Sequence, residues 1–116
     1  MEPKDLGKTS TGIQANVAGL LCYAVGFVTG IIFFLIEKEN KFVRFHAVQS
    51  MITFGAFLVL SIALNIFLQF LPFAVLALGS LIGFAQLVLW ILLMVKAYQG
   101  ETFKLPVVGD VAEKYI

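Results

Sequence analysis

"NVAGLLCYAVGFVTGIIFFLIEKENK", Asn16 to Lys41, runs without a charge as far as Ile36 and then meets Glu37, Lys38, Glu39 and Lys41 almost at once. The rest of the chain follows the same rule. No Asp, Glu, Lys or Arg occurs between Lys8 and Glu37, nor between Arg44 and Lys96. A transmembrane helix needs roughly 20 mostly apolar residues. The first gap therefore holds one span, and the second is long enough for two.

Composition agrees. Of 116 residues, 60% are hydrophobic and 13% charged, with a mean hydropathy of +0.98. Soluble domains average about 25% charged residues. The reading is an all-α integral membrane protein of one domain, residues 1–116. Three transmembrane helices form a small bundle, at about residues 13–36, 46–70 and 73–95. A polar arm (about 1–11) is expected to be disordered, and a short tail (96–116) follows the last span. Helix is forced, because lipid offers the backbone no hydrogen-bond partner. Pro72 suits the first turn of the third span, where its missing N–H had no partner to lose. The first apolar run is too long, and lacks the cleavage site, for a removable signal.

Lys and Arg near the membrane set orientation. Lys38, Lys41, Arg44, Lys96, Lys104 and Lys114 fall on one side of a three-span layout, against Lys4 and Lys8 on the other. That places the N-terminus outside and the C-terminus in the cytoplasm, in a cell membrane of prokaryotic type.

Wheel arithmetic assigns faces. Asn16, Gly19, Tyr23, Gly26 and Gly30 share an arc of about 80° on a continuous first helix, and "GFVTG" within it is a GxxxG packing pattern. On the third span Gly79, Gly83, Gln86 and Trp90 share a similar stripe. On the second, His46, Gln49, Ser50 and Thr53 fall at i, i+3, i+4 and i+7 and form a polar face turned toward the bundle. Lys41 and Arg44 are expected at the membrane surface as interfacial anchors, Arg44 snorkelling to headgroups. Asn65 and Gln69 make a second polar pair at the far end. An odd span number brings the tail to the His46 end, which Tyr98, Phe103, Pro106 and Val107 are placed to cover.

Several function classes fall away. A net charge of +1, with scattered basic residues, gives no nucleic-acid footprint. Cys22 is the lone cysteine and reads as a small buried residue. No catalytic triad, nucleotide loop or spaced metal motif occurs, so no enzyme activity, cofactor or metal is expected. Two readings stay open: an assembly or interaction subunit, or an oligomeric channel, transport or translocation component. The partners are the lipid bilayer and either a second copy or another membrane protein.

The run from Asn16 to Met51 and the tail "KAYQGETFKLPVVGD" carry a resemblance. Asn16, Gly19, Tyr23, Gly26 and Gly30, then Glu37, Phe42 to His46 and Gln49, and finally Ala97, Gly100 and Pro106 resemble small prokaryotic membrane proteins grouped with the Tic-twenty-like proteins. Those are named for a component of the chloroplast inner-envelope import machinery, whose members are usually described with four spans. The resemblance implies hydrophobic helices, no catalytic residue, and a hint of a channel or translocation subunit.

Overall fold

The structure, a computed structural model, describes residues 6–115; Met1 to Asp5 of the arm, Lys4 among them, and Ile116 lie outside the described residues. Its elements are α1 (Ala15–Ala24), α2 (Phe27–Ile36), α3 (Lys41–Phe67), α4 (Pro72–Tyr98) and α5 (Val108–Lys114).

The single span expected over 13–36 is replaced by two ten-residue helices. A continuous helix from Ala15 to Ile36 would hold its ends about 33 Å apart. Five extended residues before it reach at most about 18 Å. Yet the Ser10 N–H donates to both carboxylate oxygens of Glu37, at 2.8 and 3.0 Å. The chain must therefore double back, and it does so at Gly26. There φ is 59° and ψ is −136°, a combination open to glycine because it lacks a Cβ. The GxxxG pattern of the sequence holds a turn rather than one continuous packing stripe.

Each arm of this hairpin is about 15 Å long, half of a hydrocarbon core of about 30 Å. α3 and α4 have 27 residues each, enough for about 40 Å. A Cβ on Gly26 would sit 3.7 Å from Phe54, the midpoint of α3. The hairpin thus lines the first half of α3 and the second half of α4, and the remaining halves stand as a two-helix pair. At their turn Phe70 and Phe73 are each 87% exposed, a surface suited to lipid and not to water.

Packing follows small residues. A Cβ on Gly30 would come 2.9 Å from the Ala47 carbonyl oxygen and 3.0 Å from Ser50 Oγ, so α2 lies directly on α3. Gly19 is as tight against Phe42. Gly83 has nothing within 4 Å and Gly79 only Leu64 at 4.0 Å. The glycine half of the stripe expected on the third span therefore packs no helix closely among the described residues, because the hairpin stops short of it, while Trp90 at its other end meets the hairpin.

The mouth of the hairpin is a polar knot. The Lys38 N–H donates to Ser10 Oγ, and those of Glu39 and Asn40 to Glu37. Asn40 caps α3 through Val43 N–H and donates to the carbonyls of Leu6 and Lys8. The described part of the arm, expected to be disordered, is pinned by these bonds. Arg44, expected to snorkel to headgroups, turns back onto the end of α2 instead. It donates to the carbonyls of Phe34 and Glu37 and lies over the Phe34 ring at 4.4 Å, capping the carbonyl end of α2 where a cation is favoured. Lys41 is exposed. At the far end Asn65 bonds its own helix through Ser61 and does not pair with Gln69.

Asn16 donates to the Tyr98 carbonyl, so the end of α4 lies beside the start of α1. Residues 6–10 and the tail therefore share one end of the molecule, where the sequence expectation set them on opposite sides. The physical reason is that the described residues hold two long helices and a hairpin that returns to its starting end.

Two outcomes test this packing. Gly30→Ala is expected to destabilise by about 1–3 kcal/mol through overpacking, while Gly83→Ala is neutral or stabilises by up to about 1 kcal/mol; denaturant titration in detergent measures both. Burial alone would raise the Glu37 pKa, but the N–H groups of Ser10, Asn40 and Glu39 outweigh it and hold the carboxyl below its ordinary value. Its contribution is thus complete above the unfolded glutamate pKa of about 4.3 and is lost as pH falls through the lower folded value. Thermal melts across that acid window are expected to show a fall in stability that Glu37→Gln flattens.

Candidate functional site

Two kinds of buried polar group meet beneath the knot. The first kind belongs to the hairpin turn. In apolar surroundings, irregular backbone persists only where other groups satisfy it. Thr29 Oγ1 accepts from the Val25 N–H and donates to the Cys22 carbonyl. The Tyr23 carbonyl receives the Trp90 indole N–H at 2.7 Å. Ser50 Oγ donates to the Gly26 carbonyl at 2.9 Å. α2, α3 and α4 each contribute a side chain to one turn.

The second kind is the face of His46 and Gln49, both wholly buried. His46 Nε2 lies 3.0 Å from the Glu101 carbonyl oxygen. A carbonyl only accepts, so Nε2 carries the hydrogen. In the neutral ring Nδ1 is then an acceptor, and the Tyr23 O–H donates to it at 2.7 Å. Gln49 Nε2 donates to the Tyr23 hydroxyl oxygen and to the Phe103 carbonyl, at 3.0 and 2.8 Å. Its Oε1 accepts from the Leu105 N–H at 3.0 Å. Tyr23, Phe42 and Phe45 all meet the imidazole edge-on.

The polar face therefore joins α1, α3 and the tail in one chain of hydrogen bonds. Its capacity is consumed internally: His46, Gln49 and Ser50 each bond a group of this same protein. Thr53 differs, its hydroxyl being the one buried side-chain polar atom among the described residues that has no hydrogen-bond partner. Asn16, Gly19, Tyr23 and Gly30 pack around this site; Gly79 and Gly83 lie away from it, and Gln86 makes no hydrogen bond among the described residues.

Sequence reading placed the tail, Phe103 among its residues, over the His46 end, but not the bonds that close the network. Glu101, Phe103 and Leu105 act through their backbones, which no residue type announces. Thr29 was legible as the single hydroxyl inside "GFVTG", and Trp90 as an indole that needs an acceptor when half-buried.

A family model described as the magnetosome magnetite crystal formation protein family, MamF/MmsF, matches residues 8–112. The chain belongs to this family. It is also similar to a UPF0132 membrane protein of Methanocaldococcus jannaschii, 54% identical over 95% of this chain and 96% of the relative. A UPF0132 membrane protein of Archaeoglobus fulgidus is 49% identical over 90% of this chain and 97% of its own. No solved structure matches. With two long apolar helices and relatives named as membrane proteins, the chain is a membrane protein of an uncharacterised family.

Tyr23→Phe leaves His46 Nδ1 and a Gln49 N–H unpaired, and is expected to destabilise by about 1–3 kcal/mol. Gln49→Leu cuts two bonds to the tail. Limited proteolysis is expected to cut between Glu101 and Val107 in that variant much faster than in the parent chain.

Proposed function

We propose that the protein is a non-enzymatic, multi-pass subunit of the cell membrane that works by docking onto another membrane protein. The observation that carries this reading is the fixing of the tail by His46 and Gln49. It converts the end of the molecule into an ordered cap rather than a loose extension. α5 lies on α3, with Ala112 against Phe45 and Val48. Lys38, Glu39, Lys41, Asp110 and Lys114 remain exposed around it, a mixed-charge surface for a partner.

In this reading α3 and α4 cross the membrane and the α1–α2 hairpin enters and leaves on one side. Lys8, Lys38, Lys41, Arg44, Lys96, Lys104 and Lys114 then all lie at the capped end, which the positive-inside rule assigns to the cytoplasm. Leu6 and Tyr115, the ends of the described residues, then lie on the cytoplasmic side.

The alternative, an oligomeric channel or translocation component, is the one that the import-component resemblance implies. Gln86 and the unpacked Gly79–Gly83 stripe favour it. The internal pairing of the His46 face counts against it, since a solute path needs polar groups free to meet a solute. Magnetite crystal formation, named in the family's description, is not carried over. Glu37 is committed to the knot, Glu101 pairs with Lys96 and Glu113 with Lys104, which leaves Glu39 and Asp110 as the exposed carboxylates without an ion pair among the described residues.

Photo-crosslinking in native membranes tests the reading, with a photoreactive residue at Lys41 or at Asp110. A discrete product with one other membrane protein is expected, and Gln49→Leu should abolish it by releasing the cap. A ladder of self-products that persists in Gln49→Leu would replace the docking reading by the oligomeric one.

A further inference from the structure

Charge at the capped end is unevenly matched. Arg44 is turned onto the carbonyls of Phe34 and Glu37, and Lys96 and Lys104 are paired with Glu101 and Glu113. Lys8, Lys38, Lys41 and Lys114 are exposed and have no ion pair among the described residues. The knot gathers the first three at the mouth of the hairpin. Asn40, next to Lys41, donates to the Lys8 carbonyl at 3.1 Å, and the Lys38 N–H donates to Ser10 Oγ at 3.1 Å. Glu37 cannot neutralise them, being wholly buried and held by the N–H groups of Ser10, Glu39 and Asn40. Glu39 is left as the exposed carboxylate of the mouth among the described residues.

A second observation concerns what adjoins these lysines. Val28, Ile31, Ile32 and Leu35 are between 40% and 60% exposed. They fall at i, i+3, i+4 and i+7, one outward face of α2, and Lys38 follows three residues after Leu35. The helix that carries this face is about 15 Å long, half of a hydrocarbon core of about 30 Å.

We infer that the mouth of the hairpin binds an anionic phospholipid, its headgroup held by Lys8, Lys38 and Lys41 and an acyl chain lying along the outer face of α2. An amphiphile fits because the cationic cluster and the apolar face adjoin; a soluble anion would use only the first. Lysine is a flexible point charge without the fixed fork of arginine, so the site selects negative charge rather than one headgroup shape. It rests on the reading that the hairpin enters the bilayer, and not on docking of a partner.

The test places the full chain in phosphatidylcholine nanodiscs with a trace of phosphatidylglycerol or phosphatidylcholine carrying a diazirine on one acyl chain. After irradiation, mass spectrometry gives the ratio of the two probes at each adduct. That ratio is expected to favour phosphatidylglycerol at Ile32 and Leu35, and to be near one at Leu81, exposed in the first half of α4. A lysine beside an anionic lipid surface contributes about fivefold. Lys38→Gln should therefore lower the ratio at α2 by about that factor, and Glu39→Gln should raise it. Changing Lys8, Lys38 and Lys41 together to Gln should bring it to one, while Lys114→Gln, on α5, leaves it unchanged.

A ratio of one at α2 in the parent chain, or an excess that survives the triple substitution, would overturn the site. An equal loss in Lys114→Gln would overturn its assignment to the mouth. If neither probe labels α2 while both label Leu81, the placement of the hairpin in the bilayer falls, and the site with it.

Discussion

A chain that reverses direction in apolar surroundings must find a partner for every peptide group that the turn releases. That constraint organises this protein. The turn at Gly26 frees the Cys22 carbonyl and the Val25 N–H, and leaves room for a further donor at its own carbonyl and at that of Tyr23, which takes the Gly26 N–H at 3.1 Å. Thr29, Trp90 and Ser50 answer them from three helices. With those bonds made, α1 and α2 cannot slide or swing independently of α3 and α4. The close seat of Gly30 on the Ala47 carbonyl follows from the same reversal, because only a hairpin brings α2 back along α3.

Two polar clamps hold the hairpin at different depths. At the mouth, Glu37 and Asn40 bind backbone from the arm and the loop, while Arg44 closes the carbonyl end of α2. Further in, Tyr23, His46 and Gln49 fasten the hairpin, the long helix and the tail together. The clamps differ in kind. The mouth depends on a carboxylate held by backbone N–H groups, whereas the inner one depends on a neutral imidazole, a phenol and an amide in a fixed pattern of donors and acceptors. Buried polar networks of this sort specify one arrangement, since each alternative strands a donor or an acceptor. Beyond Phe54 no such network exists among the described residues, and α3 and α4 run on as a mostly apolar pair.

This division bears on function. The covered half is polar inside and ordered at its surface, which is what the docking proposal rests on. Membership of the MamF/MmsF family and the similarity to archaeal UPF0132 proteins establish kinship without assigning an activity. What the geometry adds is that His46, the residue most suggestive of chemistry, is bonded at both ring nitrogens to this protein's own groups.

Membrane character was legible in the sequence, because the two charge-free gaps reflect the bilayer's exclusion of charge and need no long-range information. The inward face of His46, Gln49, Ser50 and Thr53 was also readable, since helical spacing is a local property and α3 is continuous through it. The path of the chain from Ala15 to Ile36 was not. Its residues are as apolar as a span, and Gly26 inside a GxxxG pattern suits either a straight packed helix or a turn. Only the contacts of Ser10 with Glu37, of Trp90 with Tyr23 and of Ser50 with Gly26 decide between them, and these join residues distant in sequence. The same holds for Arg44, whose destination depends on where α2 ends, and for the tail, which acts through backbone atoms shared by every residue type. Local spacing and hydropathy settled that α3 and α4 are apolar helices that leave water; the break at Gly26 and the short helix α5 were not in them, and hydrogen bonds between distant segments decided where the chain turns back.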